Sequence, residues 1–533
     1  MKSTKLFRLV PPGPPPTFGR LIHTYVKHGN REYLARLLHI WSPAIDEYHR
    51  VIGDALHKAI FIGDETAVRM LLDAGVSPTV QDSEWHTPLE MAAEAGQRSI
   101  AHLLWQHVGP EGWSAGPQTP NYLAAAAKNG HADLVADFLD MWDAWPMDQK
   151  RTALNTAAAE WRDGVLGMLL AKVPYEADAI QHALEVGVTC EPFLLPLHGR
   201  VPITTAEENL RQQRVVCQLV DAGANPEGLA YRRIPLLHAA AYIRHRIGAL
   251  RALLEKGADA NVQDNRGKTA LHNLFQKPSF SSVDGVRVLL QHGASPELAN
   301  KQGETGLHAA AYTGTLEQFQ LCLATCRDAD AALQLRTSHD ESLLHYAAAG
   351  GREDNVHFLL TRGLDPNAAN ANGWTPLICA LMPTSVRSCF PQCSLAHLLL
   401  EHGASAQAVT DEGWTALHAL ASYPSGNALL PRELWDGVAP LVRELIARGA
   451  PLDAEVGTLR SPAVTCRRFV YPNKDAWGVR MRLFTGLWGD ALPLFSGPAP
   501  NTTPHMWADR NGAIEVFDAI LEHWGEADGE VEG

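Results

Sequence analysis

The sequence predicts an all-α repeat solenoid in which short helices alternate with tight turns. Three observations predict it: a leucine or isoleucine anchor that recurs along the chain, a glycine seven residues after many of these anchors, and helices that end in two leucines followed by glycine. A solenoid is quasi-one-dimensional, so a chain of 533 residues can form one elongated array rather than several globular domains.

The anchors recur at intervals that are mostly 31 to 40 residues. The interval from Ile180 to Leu237 is 57 residues, and we expect an insertion and a bend in the array there. Glycine stands seven residues after eight of the anchors, which chance does not produce. The anchors are Ile22, Leu56, Leu89, Leu123, Leu154, Ile180, Leu237, Leu271, Leu307, Leu344, Leu377, Leu417 and His505.

The stretch 253–277 shows how one unit passes into the next. An apolar helical face ends before Gly257, which supplies the left-handed conformation that terminates a helix. A turn follows at 264–267, and the Thr269 hydroxyl can cap the next helix. His272 lies three residues further on, where a neutral imidazole can bond back toward Thr269.

This boundary resembles those of ankyrin-repeat proteins, whose unit is about 33 residues long. The resemblance covers most of the chain and is most specific over 236–455. It implies helix-turn-helix units joined by β-hairpin-like loops, with first helices and hairpin tips lining a continuous concave face for a partner protein. We therefore expect a non-enzymatic protein-protein interaction scaffold or adaptor.

The repeat pattern also predicts how the chain is divided. A repeat at the end of an array is usually atypical, because its outer face meets water. The predicted segments are a proline-rich tail (1–19), the array (20–455) with an irregular insertion near 188–210, an irregular insertion or divergent repeat (456–502), a terminal capping repeat (503–524) and an acidic tail (525–533).

Composition narrows the partner and the compartment. The chain has 45 Lys and Arg against 59 Asp and Glu, a net charge of −14, which disfavours nucleic-acid or anionic-membrane binding and favours a partner with a basic surface. The eight cysteines are scattered, as expected in a reducing compartment. The N-terminal apolar run is too short for a signal peptide. We predict a cytoplasmic or nuclear monomer without cofactor or metal.

Aromatic residues at repeated positions are the predicted binding residues, because exposed aromatics form interaction hot spots. They stand either just before the helix-capping threonine or five residues after an anchor, and charged residues at hairpin tips tune the choice of partner. The alternative is that each tryptophan packs on the turn of its neighbour. The predicted partner-binding residues are Phe61, Trp85, Tyr242, Arg266, Tyr312, Trp374, Asp411 and Trp414.

Three features that suggest chemistry have structural explanations. The sequence 267–269 ends like a phosphate-binding loop, but that motif requires glycine at the position of Val262. Histidines recur at one position of many units, which favours a structural hydrogen bond over catalysis. Cys389, Cys393 and His397 could ligate zinc from one helix face, but Pro391 disfavours a regular helix and no fourth ligand is evident.

The segment 456–502 leaves other functions open. It gathers arginines and aromatic residues, so the chain could be a ligand-binding or enzymatic accessory protein with its site there. Its 47 residues are too few for an independent catalytic domain. A narrower adaptor would use this segment, or residues 1–18, as a second docking site.

Overall fold

The computed structural model describes ten stretches of the chain and a few residues near its end. The proline-rich tail apart from its last two residues, the segment 456–502, the acidic tail, most of the insertion near 188–210 and nearly all of the capping repeat lie outside them. The described residues are 18–40, 49–82, 86–113, 120–189, 205–230, 233–243, 246–276, 282–382, 392–421 and 437–454, with 504, 516, 518–520 and 522.

Within these stretches the helices form twelve pairs, each with an anchor on its first helix. The first helices are α1 (Phe18–Lys27), α3 (His49–Ile62), α5 (Pro88–Glu94), α7 (Tyr122–Asn129), α9 (Met147–Ala159), α11 (Ala177–Thr189), α13 (Leu236–Tyr242), α15 (Ala270–Leu274), α17 (Gly306–Thr313), α20 (Leu343–Ala349), α22 (Pro376–Leu381) and α24 (Ala416–Leu420). The second helices are α2 (Arg31–Ile40), α4 (Glu65–Asp73), α6 (Arg98–Trp113), α8 (Ala132–Met141), α10 (Asp163–Lys172), α12 (Ala206–Asp221), α14 (Ile247–Glu255), α16 (Val283–Gln291), α18 (Leu316–Ala324), α21 (Glu353–Thr361), α23 (Cys393–Glu401) and α25 (Val438–Ala447).

Little else among the described residues is regular. A short helix, α19 (Ala329–Leu333), follows α18, and two-residue strands β1 (Leu229–Ala230) and β2 (Ile234–Pro235) pair antiparallel. Isolated bridges join Ala299 to Thr305 and Arg336 to Ser342. The all-α solenoid fold with hairpin-like loops is confirmed.

The chain divides into two compact units. The first unit comprises residues 1–236 and 245–258, and the second comprises 237–244 and 259–533. In the first unit, the helices α1, α3, α5, α7, α9 and α11 pack in sequence, each on the next. In the second unit, α15, α17, α20, α22 and α24 do the same, and the second helices form a parallel row from α16 to α25.

The core of each unit is built from the anchors. All twelve anchors that lie on described helices are buried, so the periodic pattern marks the interface between neighbouring pairs. Burying one such side chain contributes about 1.5–3 kcal/mol, and this repeated contribution holds the stacked helices together.

Two glycines of the first unit offer a matched test of the turn conformation. Gly257 ends α14 with φ of 93°, whereas Gly164 lies in the first turn of α10 with ordinary φ, and a Cβ on either would meet nothing within 4 Å. We expect Gly257→Ala to lower the free energy of unfolding by about 1 kcal/mol, and Gly164→Ala to raise it by about 0.5 kcal/mol. Urea unfolding measures both, and equal effects would contradict the assigned conformation.

The recurring histidines hold neighbouring repeats together. The Nδ1 atom of His272 accepts a hydrogen bond from the Thr269 hydroxyl (2.9 Å), and Nε2 donates to the carbonyl of Glu304 in the next repeat (3.0 Å). His345 bonds in the same way to the Ser342 hydroxyl (2.7 Å) and the Trp374 carbonyl (3.0 Å). The predicted structural role is confirmed at these positions, and the bond to the next repeat adds to it.

These histidines are held neutral by their surroundings. Burial lowers the pKa of His308 to about 3 and that of His345 to about 4. It also lowers the pKa of His238 and His272. A neutral ring carries one donor and one acceptor, which is what the bond from the cap and the bond to the next repeat require.

The first unit adapts where the period fails. Trp161 stands where other repeats carry the glycine after the anchor, and it takes the same left-handed conformation, with φ of 52°. The buried guanidinium of Arg246 lies 4.5 Å from the centre of the Trp161 ring and donates to the Gly187 carbonyl at 3.2 Å. Downstream of the gap, a capping box between Thr205 and Glu208 opens α12.

Candidate functional site

Five turns of the second unit have one conformation. In the first of them the backbone N–H of Asp264 donates to the Lys268 carbonyl at 2.8 Å, and the Asp264 carboxylate accepts the N–H of Lys268 at 2.8 Å. Asparagine or threonine replaces the aspartate in the other four. Asp340 adopts φ of 62° where the others use glycine. The turns are 264–268, 300–304, 337–341, 370–374 and 410–414.

Backbone hydrogen bonds join these turns into one row, which we call the hairpin row. Each turn donates one N–H to a carbonyl of the turn before it, at distances between 2.9 and 3.2 Å. The donor and acceptor pairs are Lys301 with Arg266, Ser338 with Gln302, Ala371 with His339 and Asp411 with Asn372. Side chains from repeats about 36 residues apart are therefore held side by side.

The last residue of each turn precedes a helix cap and forms the inner edge of the hairpin row. A histidine of the preceding repeat donates to the carbonyl of three of these residues, at 2.8 to 3.0 Å. The side chains change along the edge from cationic through acidic to aromatic. The five residues are Lys268, Glu304, Glu341, Trp374 and Trp414.

Glu304 is fully engaged within the protein. Its carboxylate accepts from Nδ2 of Asn300 at 2.6 Å and from the Tyr346 hydroxyl at 2.8 Å. Burial, with the neighbouring carboxylates Glu304 and Glu341, raises the pKa of Tyr346, which therefore stays protonated as a donor. The Tyr346 ring also meets Tyr312 edge-on, with ring centres 6.4 Å apart.

Glu341 is in a different state. Its side chain is 3% exposed, and Oε2 accepts from the Thr337 hydroxyl at 2.9 Å. Its other oxygen, Oε1, has no hydrogen-bond partner among the described residues. Burial is the main cause that raises the pKa of Glu341 to about 7, and the charge of Glu304 adds to it. This carboxyl group therefore titrates near neutral pH.

The structure corrects the expected exposure of two predicted hot spots. Trp374 and Trp414 are 2% and 3% exposed, and their ring centres lie 5.9 Å apart. They pack on each other across neighbouring turns, as the alternative interpretation of the sequence proposed. Within the described part of the chain, neither indole N–H has an acceptor.

Charged side chains surround these tryptophans at the end of the row. Asp411 is exposed at the tip of the last turn, and Glu412 beside it is half-buried. Burial first, and the charge of Asp411 second, raise the pKa of Glu412. Its Oε2 atom has no donor among the residues that the structure describes. Arg266 is exposed at the opposite end of the row.

The remaining predicted residues are distributed over both units. Phe61 of the first unit is 71% exposed, with the Lys58 ammonium 4.6 Å from its ring centre. Tyr242 of the second unit is 40% exposed, and Tyr312 is half-buried beside Tyr346. Trp85 lies outside the described residues. The structure thus brings Tyr312, Trp374, Asp411, Trp414 and Arg266 to or beside the hairpin row.

Sequence reasoning missed Glu304 and Glu341. Both occupy the same position of the repeat as Trp374 and Trp414, directly before the residue that caps the helix. That shared position is the signal that could have found them. It was read only for aromatic residues.

Metal and membrane chemistry were also searched for in the structure. Over the described ranges, no group of three or more His, Cys, Asp or Glu side chains is arranged to hold a metal ion. His397 instead contacts Glu444 at 2.6 Å, burial raises the pKa of Cys393 to about 11, and Cys389 is outside those ranges. None of the helices described above is long and apolar enough to span a bilayer.

The paired helices, capped turns and stacked cores define a helical repeat protein. Residues 203–431 match the family model described as ankyrin repeats (3 copies), in overlapping placements. The chain carries ankyrin repeats, and over these residues it belongs to the ankyrin-repeat family. This class of repeat indicates a role in protein-protein interaction. The placements are 203–300, 236–334, 279–370, 307–387 and 344–431.

Individual relatives match shorter parts of the chain. The chain is 33% identical over 132 residues to the mouse (Mus musculus) B-cell lymphoma 3 protein homolog, which is 25% of each chain. It is 28% identical over 172 residues to the ankyrin repeat protein FPV230 of Fowlpox virus (strain NVSL), covering 32% of this chain and 87% of that protein. The chain therefore spans a quarter of the mouse relative and most of the viral one.

Solved structures were compared as well. The chain is similar to the crystal structure of the ankyrin repeat domain of Bcl-3, described as a unique member of the IkappaB protein family. The identity is 24% and the TM-score 0.30, and the match covers 54% of this chain and 97% of that one.

Proposed function

We propose that the protein is a non-enzymatic scaffold or adaptor that binds a partner protein with a basic surface. Binding takes place on the concave face of the array, along the hairpin row of the second unit. The protein acts as a monomer in the cytoplasm or nucleus.

The hairpin row is the observation that carries this proposal. Its backbone hydrogen bonds fix five turns in a constant arrangement, so their side chains present a surface that needs little ordering when a partner binds. Acidic side chains predominate from the second turn to the last, and their potential favours a basic partner. Catalysis is not needed to explain any of the side-chain arrangements described.

Affinity capture from a native cell extract tests the proposal. We expect the double variant Arg266→Ala and Asp411→Ala, exposed at the two ends of the row, to lose a partner that the wild-type chain retains. Rim charges adjust affinity and association rate, so the expected loss is about tenfold in captured amount.

The matched control is Arg287→Ala and Asp354→Ala, which removes the same charges from the exposed sides of α16 and α21. This control should capture the partner as the wild type does. If both double variants bind equally, or if the wild-type chain captures no protein selectively, the hairpin row is not the interaction site.

A further inference from the structure

Four side chains at one end of the hairpin row form a continuous cluster, which we call the acidic-aromatic strip. It consists of Glu341, Trp374, Trp414 and Glu412. They lie on three successive turns that are joined by the hydrogen bonds from Ala371 to His339 and from Asp411 to Asn372, at 2.9 and 3.2 Å. The two tryptophans lie between the two glutamates along the row.

Every member of the strip keeps one polar atom without a partner. Oε1 of Glu341 and Oε2 of Glu412 have no donor, and the indole N–H groups of Trp374 and Trp414 have no acceptor, among the residues described. These atoms are shielded from water as well. Buried polar groups in folded proteins are nearly all hydrogen-bonded, so four exceptions in adjacent turns require an explanation.

We propose that the acidic-aromatic strip is a receptor for arginine side chains of the partner protein. The inference rests on the proposed function and specifies the chemistry of its partner. Guanidinium groups would bind the two carboxylates, and backbone carbonyls of the same partner segment would accept from the indole N–H groups.

Arginine fits this set of atoms better than other side chains. Its planar guanidinium carries five donors in a fixed fork, matches a carboxylate and stacks on aromatic faces. Lysine is a compact, strongly hydrated point charge that does not stack in this way. Charge-assisted bonds are also the stronger ones, so they can replace the lost hydration of a buried carboxylate.

Cations within the protein leave the strip available. Arg336, close in sequence to Glu341, bonds through Nη1 to the carbonyl of Asp340 at 3.0 Å and to its carboxylate at 3.4 Å. Lys268 and Arg266 belong to the first turn of the row, whereas the strip begins at the third. A basic segment would therefore find its complement toward the last turn, where half-buried Glu412 gives entry.

Binding should also depend on pH, because an incoming cation favours ionised Glu341. The charged group that faces Glu341 is Glu304, and its other polar neighbours are Thr337, Asn370 and Tyr346. The His308 ring stays neutral above pH 5, since burial lowers its pKa to about 3. Affinity for arginine is therefore expected to rise between pH 6 and pH 8 as Glu341 ionises.

Fluorescence anisotropy with the full chain tests the inference. The probe is a labelled nonapeptide of alternating arginine and alanine, with the glutamine-for-arginine peptide as reference. We expect the wild-type chain to prefer the arginine peptide and the double variant Glu341→Gln and Glu412→Gln to bind it at least tenfold more weakly. The rise in affinity from pH 6 to pH 8 should disappear in Glu341→Gln alone.

The control variant is Asp284→Asn and Asp354→Asn, which removes two exposed negative charges from α16 and α21. It should bind the arginine peptide as the wild type does. Equal weakening in both double variants, or equal binding of the two peptides by the wild type, would overturn the inference. A captured partner that depends on Arg266 and Asp411 but not on Glu341 and Glu412 would overturn it too, while leaving the proposed function intact.

Discussion

Replacing Glu341 by glutamine is expected to stabilise the protein by about 3 kcal/mol at pH 8, although most substitutions of buried polar residues destabilise. The folded pKa of this carboxyl group is about 7 against an ordinary value of 4.5, mainly because the group is buried. Each unit of difference corresponds to about 1.4 kcal/mol between the ionised and neutral forms. Glutamine is neutral and similar in shape, and its oxygen can still accept from Thr337.

The stabilisation should depend on pH in a defined direction. A carboxyl group whose folded pKa is raised gives its full stability below its unfolded pKa, and that stability is lost as the pH rises from about 4.5 through 7. The wild type should therefore lose stability over this window, and Glu341→Gln should not. The two proteins should differ by about 1 kcal/mol or less at pH 5.

Urea unfolding at pH 5 and pH 8 measures this difference. Asp354→Asn serves as the control, because that carboxylate is exposed on α21 and its removal should change stability little at either pH. A destabilised Glu341→Gln at pH 8 would show that the carboxylate is satisfied in the unbound protein. That result would also remove the main support for the arginine receptor.

The stability result bears on function. A group that destabilises the folded chain and has a neutral replacement of the same size is typical of a binding site, where activity and stability oppose each other. If Glu341→Gln is more stable and binds the arginine peptide more weakly, unfolding cannot explain the weaker binding. The same substitution therefore separates a binding role from a structural one.

The repeat architecture could be predicted from local sequence, because its signals lie within one unit. The twelve anchors on described helices are all buried, and Gly257 has the positive φ expected at the end of a helix. The capping of α15 by Thr269, with His272 bonding back to it, is also confirmed. Each of these depends on residues a few positions apart, and such short-range geometry is carried by the pattern itself.

The site was less predictable, because its properties arise between repeats. Trp374 is buried by Trp414, which is 40 residues away in the sequence, and the pattern of either repeat alone cannot show that contact. The raised pKa of Glu341 depends on its burial and on Glu304 of the preceding repeat. Arg246 bonds to Gly187 and packs on Trp161, across the stretch where the period is lost.

Mild acid is expected to destabilise the repeat core through its buried histidines. The folded pKa values of His308 and His345 are about 3 and 4, against an ordinary value of 6.5, because burial disfavours the charged ring. A group with a lowered folded pKa gives its full stability above its unfolded pKa, and that stability is lost as the pH falls below about 6.5. From pH 7.5 to pH 5 each histidine should cost about 2 kcal/mol, or about 4 kcal/mol together.

Glu341 changes in the opposite direction over the same range, so the experiment is cleanest in the Glu341→Gln background. There, the free energy of unfolding should fall by about 4 kcal/mol between pH 7.5 and pH 5. Adding His308→Gln should remove about half of this fall, because one fewer proton is taken up on unfolding. An unchanged slope would mean that His308 is already protonated in the folded chain.

The two effects follow from one feature of the fold. The histidine of each repeat must be neutral to accept from its own cap and donate to the next turn, and the burial that keeps it neutral also covers the residue at the inner edge of that turn. Where that residue is Glu341, burial raises its pKa instead of lowering it. Stability in the second unit should therefore depend on opposing titrations, with the histidine term dominant toward pH 5 and the glutamate term toward pH 8.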